Sequence, residues 1–392
     1  MKTALPLLAL TLSATAGPAF TAKTVDDKIS IGYGLAIGDV DGDRKPDILL
    51  ADAREIVWYK NPGWEKSVIV KNLTPRDNVC IAARDLDNDG KVEIAVGAQW
   101  NPGETANEAE SGAVFFLQRP DKPDGEWTPV KLPHEPTVHR MHWAHTGEKK
   151  MALVVLPLHG RGNTNGAGAG VKVIAYTFPE KPGDAAAWQQ TVIDDKMHVT
   201  HNFDVRAAVA GLDELLIGGK EGLLSAGPHG AGWGAERLTL TESGDGPAFG
   251  GAGEVRFGPN AGKSRDTVCC IEPFHGPNLT LLQNDDKTRT WKRTVLDTTF
   301  NQGHALACGN VLPGLEREQI IAGWREPNAA KQFGIKIYRE EAGAWKSDWV
   351  GEPNTMACED LKLADLDGDG RPEIIAAGRS TKNVVIYSLP KP

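Results

Sequence analysis

LKLADLDGDGRPEIIAAG, residues 361–378, runs an apolar strand into an acidic, glycine-bearing turn and out into a second, β-branched strand. LAIGDVDGDRKPDILLAD (35–52) and CIAARDLDNDGKVEIAVGA (80–98) repeat that layout. ALACGNVLPGLEREQIIAG (305–323) keeps it with the acidic turn eroded. MHWAHTGEKKMALVVLP (141–157), VRAAVAGLDELLIGG (205–219) and TVCCIEPFHGPNLTLLQ (267–283) are weaker versions. Self-similarity at such a period is the signature of a fold built from stacked units.

A second repeat interleaves with the first. Strands led by tryptophan begin at Trp64, Trp127, Trp188, Trp233, Trp291 and Trp345, 45 to 63 residues apart. Each alternates apolar and polar positions, as a half-buried edge strand does. A unit of this length holding four short strands has the size of a propeller blade. Six tryptophan strands close six units, and the seventh, from Glu352, has three strands without one. The expectation is an all-β, seven-bladed propeller over residues 20–392, with the stretch near Asp27–Ile31 supplying the missing edge strand. Closing the ring removes the free sheet edges that an open β-protein must guard.

The first residues read as a leader over 1–19. Lys2 precedes an apolar run, Ala4–Leu12, and small residues follow at Ala14, Ala16 and Ala19. The run is too short to span a bilayer, so the protein is expected to be exported, periplasmic or extracellular, without a membrane span. A net charge of -9 with acidic and basic residues interspersed argues against a nucleic-acid partner. Five cysteines, Cys80, Cys269, Cys270, Cys308 and Cys358, sit in apolar segments, so buried thiols are expected, with disulfides between neighbouring inner strands left open.

The acidic turns carry one chemical suggestion. Asp39, Asp41, Asp43 and Asp47 fall at positions 1, 3, 5 and 9 of a loop, as do Asp85, Asp87, Asp89 and Glu93, and Asp365, Asp367, Asp369 and Glu373. Alternating carboxylates around a turn bring hard oxygens about one point, which suits structural calcium. The competing reading is that each Asp caps its own turn through backbone N–H groups. These turns join first to second strands, so they lie on one face of the ring.

The opposite face collects the unusual side chains. Starts of innermost strands bear Arg76, Asp77, His139, His142, His198, His201, His304, Glu359 and Asp360. Second-to-third turns bear Trp100, His159, Arg161, Lys220, His275, Trp324, Arg325 and Arg379. Such a mouth can hold a divalent metal, a general base and cations aimed at an anionic oxygen. No organic cofactor is expected. The glycine-rich LPLHGRGNTNGAGAG (156–170) lacks the Lys-Ser/Thr pair of a phosphate loop, and no CxxCH haem site or GxSxG elbow is present.

The acidic-turn blades resemble the FG-GAP, or VCBS, repeats of integrin-like propellers. THNF from Thr200, GAGEVRFGP from Gly251, CCIEPFHG from Cys269, QGHALACGNV from Gln302, AGWREPN from Ala322 and ACEDLKLADLDGDGRPEIIAAGR from Ala357 are similar to bacterial relatives of the aldos-2-ulose dehydratase propeller, most densely from residue 251 onward. The resemblance implies a lyase that eliminates water or an oxygen-linked group from a keto-sugar or 3-keto-glycoside. A non-catalytic carbohydrate-binding or protein-interaction propeller is the alternative. On the lyase reading His139 and His201 would exchange protons with substrate, and Arg325 would face the developing oxyanion. His304 and Glu359 would ligate a metal, with His142 and His275 as alternates. Trp100, His159, Arg161, Lys220, His275, Trp324 and Arg379 would contact the sugar.

Overall fold

The computed structural model describes residues 17–121, 125–208, 211–230, 232–242, 248–262, 266–285 and 287–391. The expected leader, 1–19, lies outside them apart from its last three positions. Seven antiparallel sheets follow one another along the chain. Blades 1 to 6 span residues 34–71, 80–132, 138–194, 200–237, 254–297 and 303–349, and blade 7 spans 358–388. In each of the first six, the tryptophan-led segment forms the fourth strand out from the channel, as in Glu65–Lys71 and Gln189–Asp194.

The missing strand of blade 7 comes from the N-terminal region. β1 (Thr21–Asp26) pairs antiparallel with β29 (Val384–Ser388), from Thr21 opposite Ser388 to Asp26 opposite Val384. It lies just upstream of the stretch expected from sequence. Asp27–Ile31 instead carries the chain toward the centre, held by Asp52, whose carboxylate accepts the backbone N–H groups of Ser30 and Ile31. Blade 5 carries an addition: Leu240–Glu242 runs parallel along the outer strand Thr290–Asp297.

Seven apolar clusters hold the ring, one between each pair of neighbouring blades. The period-2 alternation of a strand decides which cluster each side chain joins. In Asp47–Ala51, Leu49 and Ala51 face blade 2, while Ile48 and Leu50 face blade 7. Glu373–Gly378 divides likewise, with Ile374 and Ala376 toward blade 6 and Ile375 and Ala377 toward blade 1. A middle strand buried on both faces reads as a continuous apolar run, whereas the outer strand alternates. Among the described residues no helix is long and apolar enough to cross a membrane.

Candidate active site

The innermost strands decide what faces the channel, and four of them share an irregularity at their mouth end. The pairing register slips between Val138 and Arg140, between Thr200 and Phe203, between Gly303 and Ala305, and between Cys358 and Asp360. The residues caught in these slips are His139, His201 with Asn202, His304, and Glu359. A β-bulge leaves a residue out of the ladder and re-aims its side chain. Blades 3, 4, 6 and 7 therefore each turn a polar side chain into one layer. Blade 5 completes the layer with Glu254, in register opposite Ile271.

Four imidazoles meet there. His201 is central, with ring centroids 4.6 Å from His139, 4.4 Å from His275 and 5.1 Å from His304. His275 and His304 stack at 4.8 Å. His139 Nδ1 donates to the His201 carbonyl at 2.7 Å, and His304 Nδ1 to the Glu359 carbonyl at 2.6 Å. Each bond fixes a tautomer that leaves Nε2 bare. His201 Nε2 and His275 Nε2 face each other at 2.6 Å, while His201 Nδ1 lies 3.2 Å from Glu254 Oε1.

Electrostatics keep these rings neutral. Burial, then the cations Arg140 and Arg325 and the neighbouring imidazoles, hold His139 and His304 well below the ordinary imidazole range. Burial followed by His201 and Arg325 pushes His275 down to about 2. His201 is also lowered, because desolvation outweighs the Glu254 carboxylate beside it. Burial alone would raise Glu254, but His201 and Arg256 hold it down at about 2, so it is ionised.

His201, His275 and His304 each offer a ligand atom within 4.8 Å of the others, and together they could hold a metal ion. The donor set fits. Neutral imidazoles are the form that binds metal, and a carboxylate or backbone carbonyl on the remote ring nitrogen orients them. His201 Nδ1 and Glu254 Oε1 make no well-aligned hydrogen bond despite complete burial. The 2.6 Å between His201 Nε2 and His275 Nε2 suits either a proton carried by one of them or a cation shared by both.

Other expected residues take different places. Glu359 is held by two arginines, Oε2 by Arg325 Nη1 at 2.7 Å and Oε1 by Arg379 Nη1 at 2.9 Å, and its Oε1 also lies 3.8 Å from His304 Nε2 at the edge of the imidazole group. Arg325 also donates to Gln302 Oε1 at 3.0 Å. His142 lies deeper in the channel, edge-on to Phe203 and near Arg256 and Lys362. Trp324 is fully buried, stacked on Phe300 at 4.9 Å with its indole N–H given to Gln332, and offers no face to a sugar. Trp100 stands at the mouth with its ring 4.9 Å from His139. Arg161 is drawn to the rim by Glu108 and Glu135, Lys220 reaches toward the Asn165 carbonyl there, and His159 has a buried Nδ1 without a hydrogen-bond partner. Glu254 was not singled out from sequence, although it stands at the start of an innermost strand, as His304 and Glu359 do.

On the opposite face both sequence readings of the acidic turns have a basis. Asp39, Asp85 and Asp365 cap their loops, Asp365 accepting from Gly368, Asp369 and Gly370. Asp43, Asp89 and Asp369 accept from Lys45, Lys91 and Arg371. Asp47, Glu93 and Glu373 accept from Val40, Leu86 and Leu366. Yet Asp39, Asp41 and Asp43 also bring carboxylate oxygens within ion-binding reach of one another, as do Asp85, Asp87 and Glu93, and Asp365, Asp367 and Glu373. Burial first, then the neighbouring carboxylates, raise Asp47 to about 6 and Glu93 to about 7. Lys60 bridges Asp41 and Asp43, and Lys391 meets Asp367 at 2.8 Å, so part of the charge is met by the chain itself.

Residues 111–285 match the family of the aldos-2-ulose dehydratase β-propeller domain, and residues 39–96 match the FG-GAP-like repeat. The dehydratase match therefore takes in the weak middle blades, where the repeat is least regular. Aldos-2-ulose dehydratase from Phanerodontia chrysosporium is 23% identical over 333 residues, covering 79% of this chain and 36% of that protein. The match thus spans about a third of that relative's length. In fold, a chain of the mitotic checkpoint complex superposes with TM-score 0.59 at 10% identity, covering 100% of both chains. BBS1N, in a complex with ARL6DN, does so with TM-score 0.54 at 11% identity, covering 95% of this chain and 96% of its own. Fold and comparisons together make this chain a seven-bladed β-propeller that resembles the FG-GAP and aldos-2-ulose dehydratase propellers.

Proposed function

We propose that the protein is a carbon–oxygen lyase that catalyses β-elimination on a keto-sugar or 3-keto-glycoside at the channel mouth. The observation that carries this reading is the group of four neutral imidazoles beside two buried carboxylates and an arginine pair. His201, His275 and His304 would hold a divalent metal, which when bound supplies a Lewis acid for the carbonyl oxygen. Glu254 would orient His201 from 3.2 Å once the metal is bound, and the Glu359 carbonyl accepts from His304 Nδ1.

The remaining residues have separate tasks. His139, bound through Nδ1 to the His201 carbonyl, is the candidate base: its Nε2 accepts from Arg140 at 3.1 Å and stands beside Trp100. Removing the proton next to a ketone builds negative charge on oxygen, and preorganised cations stabilise such charge best in a site with little water. Arg325 and Arg379, held side by side by Glu359, supply that edge. Trp100 would stack on the sugar ring. The turns at Asp39, Asp85 and Asp365 would bind calcium as struts on the far face. We also propose that the chain is exported, to be tested by fractionating cells that express it.

The decisive test incubates metal-replete protein with a 3-keto-glycoside, with 1,5-anhydrofructose and with their unoxidised parents. Product masses and the ultraviolet absorbance of a conjugated enone are followed. Enone formation from keto substrates alone supports elimination: loss of water marks a dehydratase, and loss of the aglycone marks glycoside cleavage. Binding of every sugar without turnover or exchange of the α-hydrogen would replace the lyase by a carbohydrate-binding propeller.

A further inference from the structure

Cys269 and Cys308 belong to different blades, yet their sulfurs face each other at 3.2 Å. Cys269 lies in β20 (Thr267–Glu272), the second strand of blade 5, and Cys308 in β23 (Gly303–Gly309), the innermost strand of blade 6. Both join the apolar cluster between these blades. Cys270, next in sequence, faces the other side of its sheet, where its thiol meets Thr280 Oγ1 at 2.9 Å. Cys80 and Cys358 are buried between blades 2 and 3 and between blades 6 and 7. Strand alternation thus sorts the five thiols and brings two together.

We propose that Cys269 and Cys308 form an inter-blade disulfide under oxidising conditions, a redox-closed staple between blades 5 and 6. The oxidant is a small disulfide such as oxidised glutathione. Cys308, the less buried of the two, attacks one donor sulfur as its thiolate, and the first donor thiolate leaves. Cys269, deprotonated in turn, attacks the Cys308 sulfur of the mixed disulfide and expels the second. Two electrons pass from the protein pair to the donor, and the two protons end on the two donor thiols. Bonding requires the sulfurs to close from 3.2 Å to about 2.05 Å. Among the described residues the two sheets share no strand ladder, and their backbones meet in the adjoining turns, where Ala261 bridges Arg317 and the Glu318 N–H donates to the Asn260 carbonyl at 2.8 Å.

The position gives the staple a consequence for the mouth. β20 runs directly into the turn that carries His275, and His304 lies on the same strand as Cys308. The bond would fix the spacing between the carriers of two of the three clustered imidazoles.

To test this, the full chain is equilibrated in oxidising and in reducing glutathione buffer, trapped with iodoacetamide under denaturing conditions, and digested without reduction. The oxidised sample should yield a linked peptide lighter by two hydrogens than its thiol forms, with fragmentation assigning Cys269 rather than Cys270. Cys80, Cys270 and Cys358 should be alkylated in both samples. Tm should be higher in oxidising than in reducing buffer, and the difference should vanish in Cys308→Ser. If that variant fails to fold, Cys269→Ala replaces it, and the wild-type linkage map still decides. Five alkylated cysteines after oxidation, a link through another cysteine, or equal Tm in both buffers would overturn the proposal.

Discussion

The two faces of the ring bring ionisable groups together by opposite means. On the far face, acidic side chains cluster because they are close in sequence: one short turn supplies every carboxylate, and the turn's own N–H groups satisfy most of them. At the mouth, His139, His201, His275, His304, Glu254 and Glu359 come from five blades and meet only when the ring closes. Replacing one member of a local cluster should disturb only its own turn and leave the mouth intact. A cluster assembled across blades has fewer redundant partners, so each loss should be felt in the chemistry first.

The largest contrast should appear on removing a triad member. His304→Ala should lose the mouth-bound divalent ion and reduce enone formation by more than the about 100-fold that loss of an outer partner typically costs. Metal analysis and turnover measured together check this; retained metal with full turnover would dissolve the distinction between the faces. Glu254→Gln should weaken metal affinity by roughly 10–100-fold while the fold survives, read by titration into chelator-treated protein. Asp365→Ala should act the other way, costing about 2–3 kcal/mol of stability from lost charged hydrogen bonds and leaving metal content at the mouth unchanged. Denaturant unfolding with and without calcium separates a mere cap from an ion site: only an ion site would lose its calcium-dependent stabilisation in the variant.

The smallest effect is a difference in pH dependence in metal-free protein. The mouth imidazoles have folded pKa values below the ordinary 6.5, so the unfolded chain takes up protons first and stability falls as pH drops below 6.5. Glu93 has the reverse sign. Its folded value of about 7 lies above the ordinary 4.5, so the folded state binds the extra proton and gains stability as pH falls between them. Glu93→Gln should therefore steepen the acid loss between these limits, visible as a sharper decline of Tm with pH. An unchanged slope would mean that this carboxyl does not titrate differently on folding.

The same contrast explains what the sequence made legible. Strand alternation and the tryptophan strands are local, and they fixed the blade count. The closing strand was placed a few residues late because Asp27–Ile31 is apolar only at Ile29 and Ile31, and its pairing is decided by a partner some 350 residues away. The mouth residues were legible as a set, because bulged positions recur at strand starts. What each one touches was not. Whether Glu359 faces a metal or two arginines depends on side chains from blade 6 and on its own turn at Arg379. Trp324 looked available because it was read in a second-to-third turn, but it ends the strand Gln319–Trp324, where Phe300 and Gln332 cover it. Glu254 escaped notice because it follows three small residues and carries no histidine beside it.

Pairing Thr21 with Ser388 also has a mechanical consequence. Because β1 and β29 are antiparallel, the chain before Thr21 and the chain after Ser388 leave from the same end of their shared ladder. A force applied to both ends would not shear the strands past one another. It would part them one rung at a time, from Thr21 toward Asp26, as a zipper opens. The closure that protects the sheet edges against random pairing is therefore weak in one direction of pull, and the first piece to come away would be a single strand, with blades 1 to 6 still folded behind it.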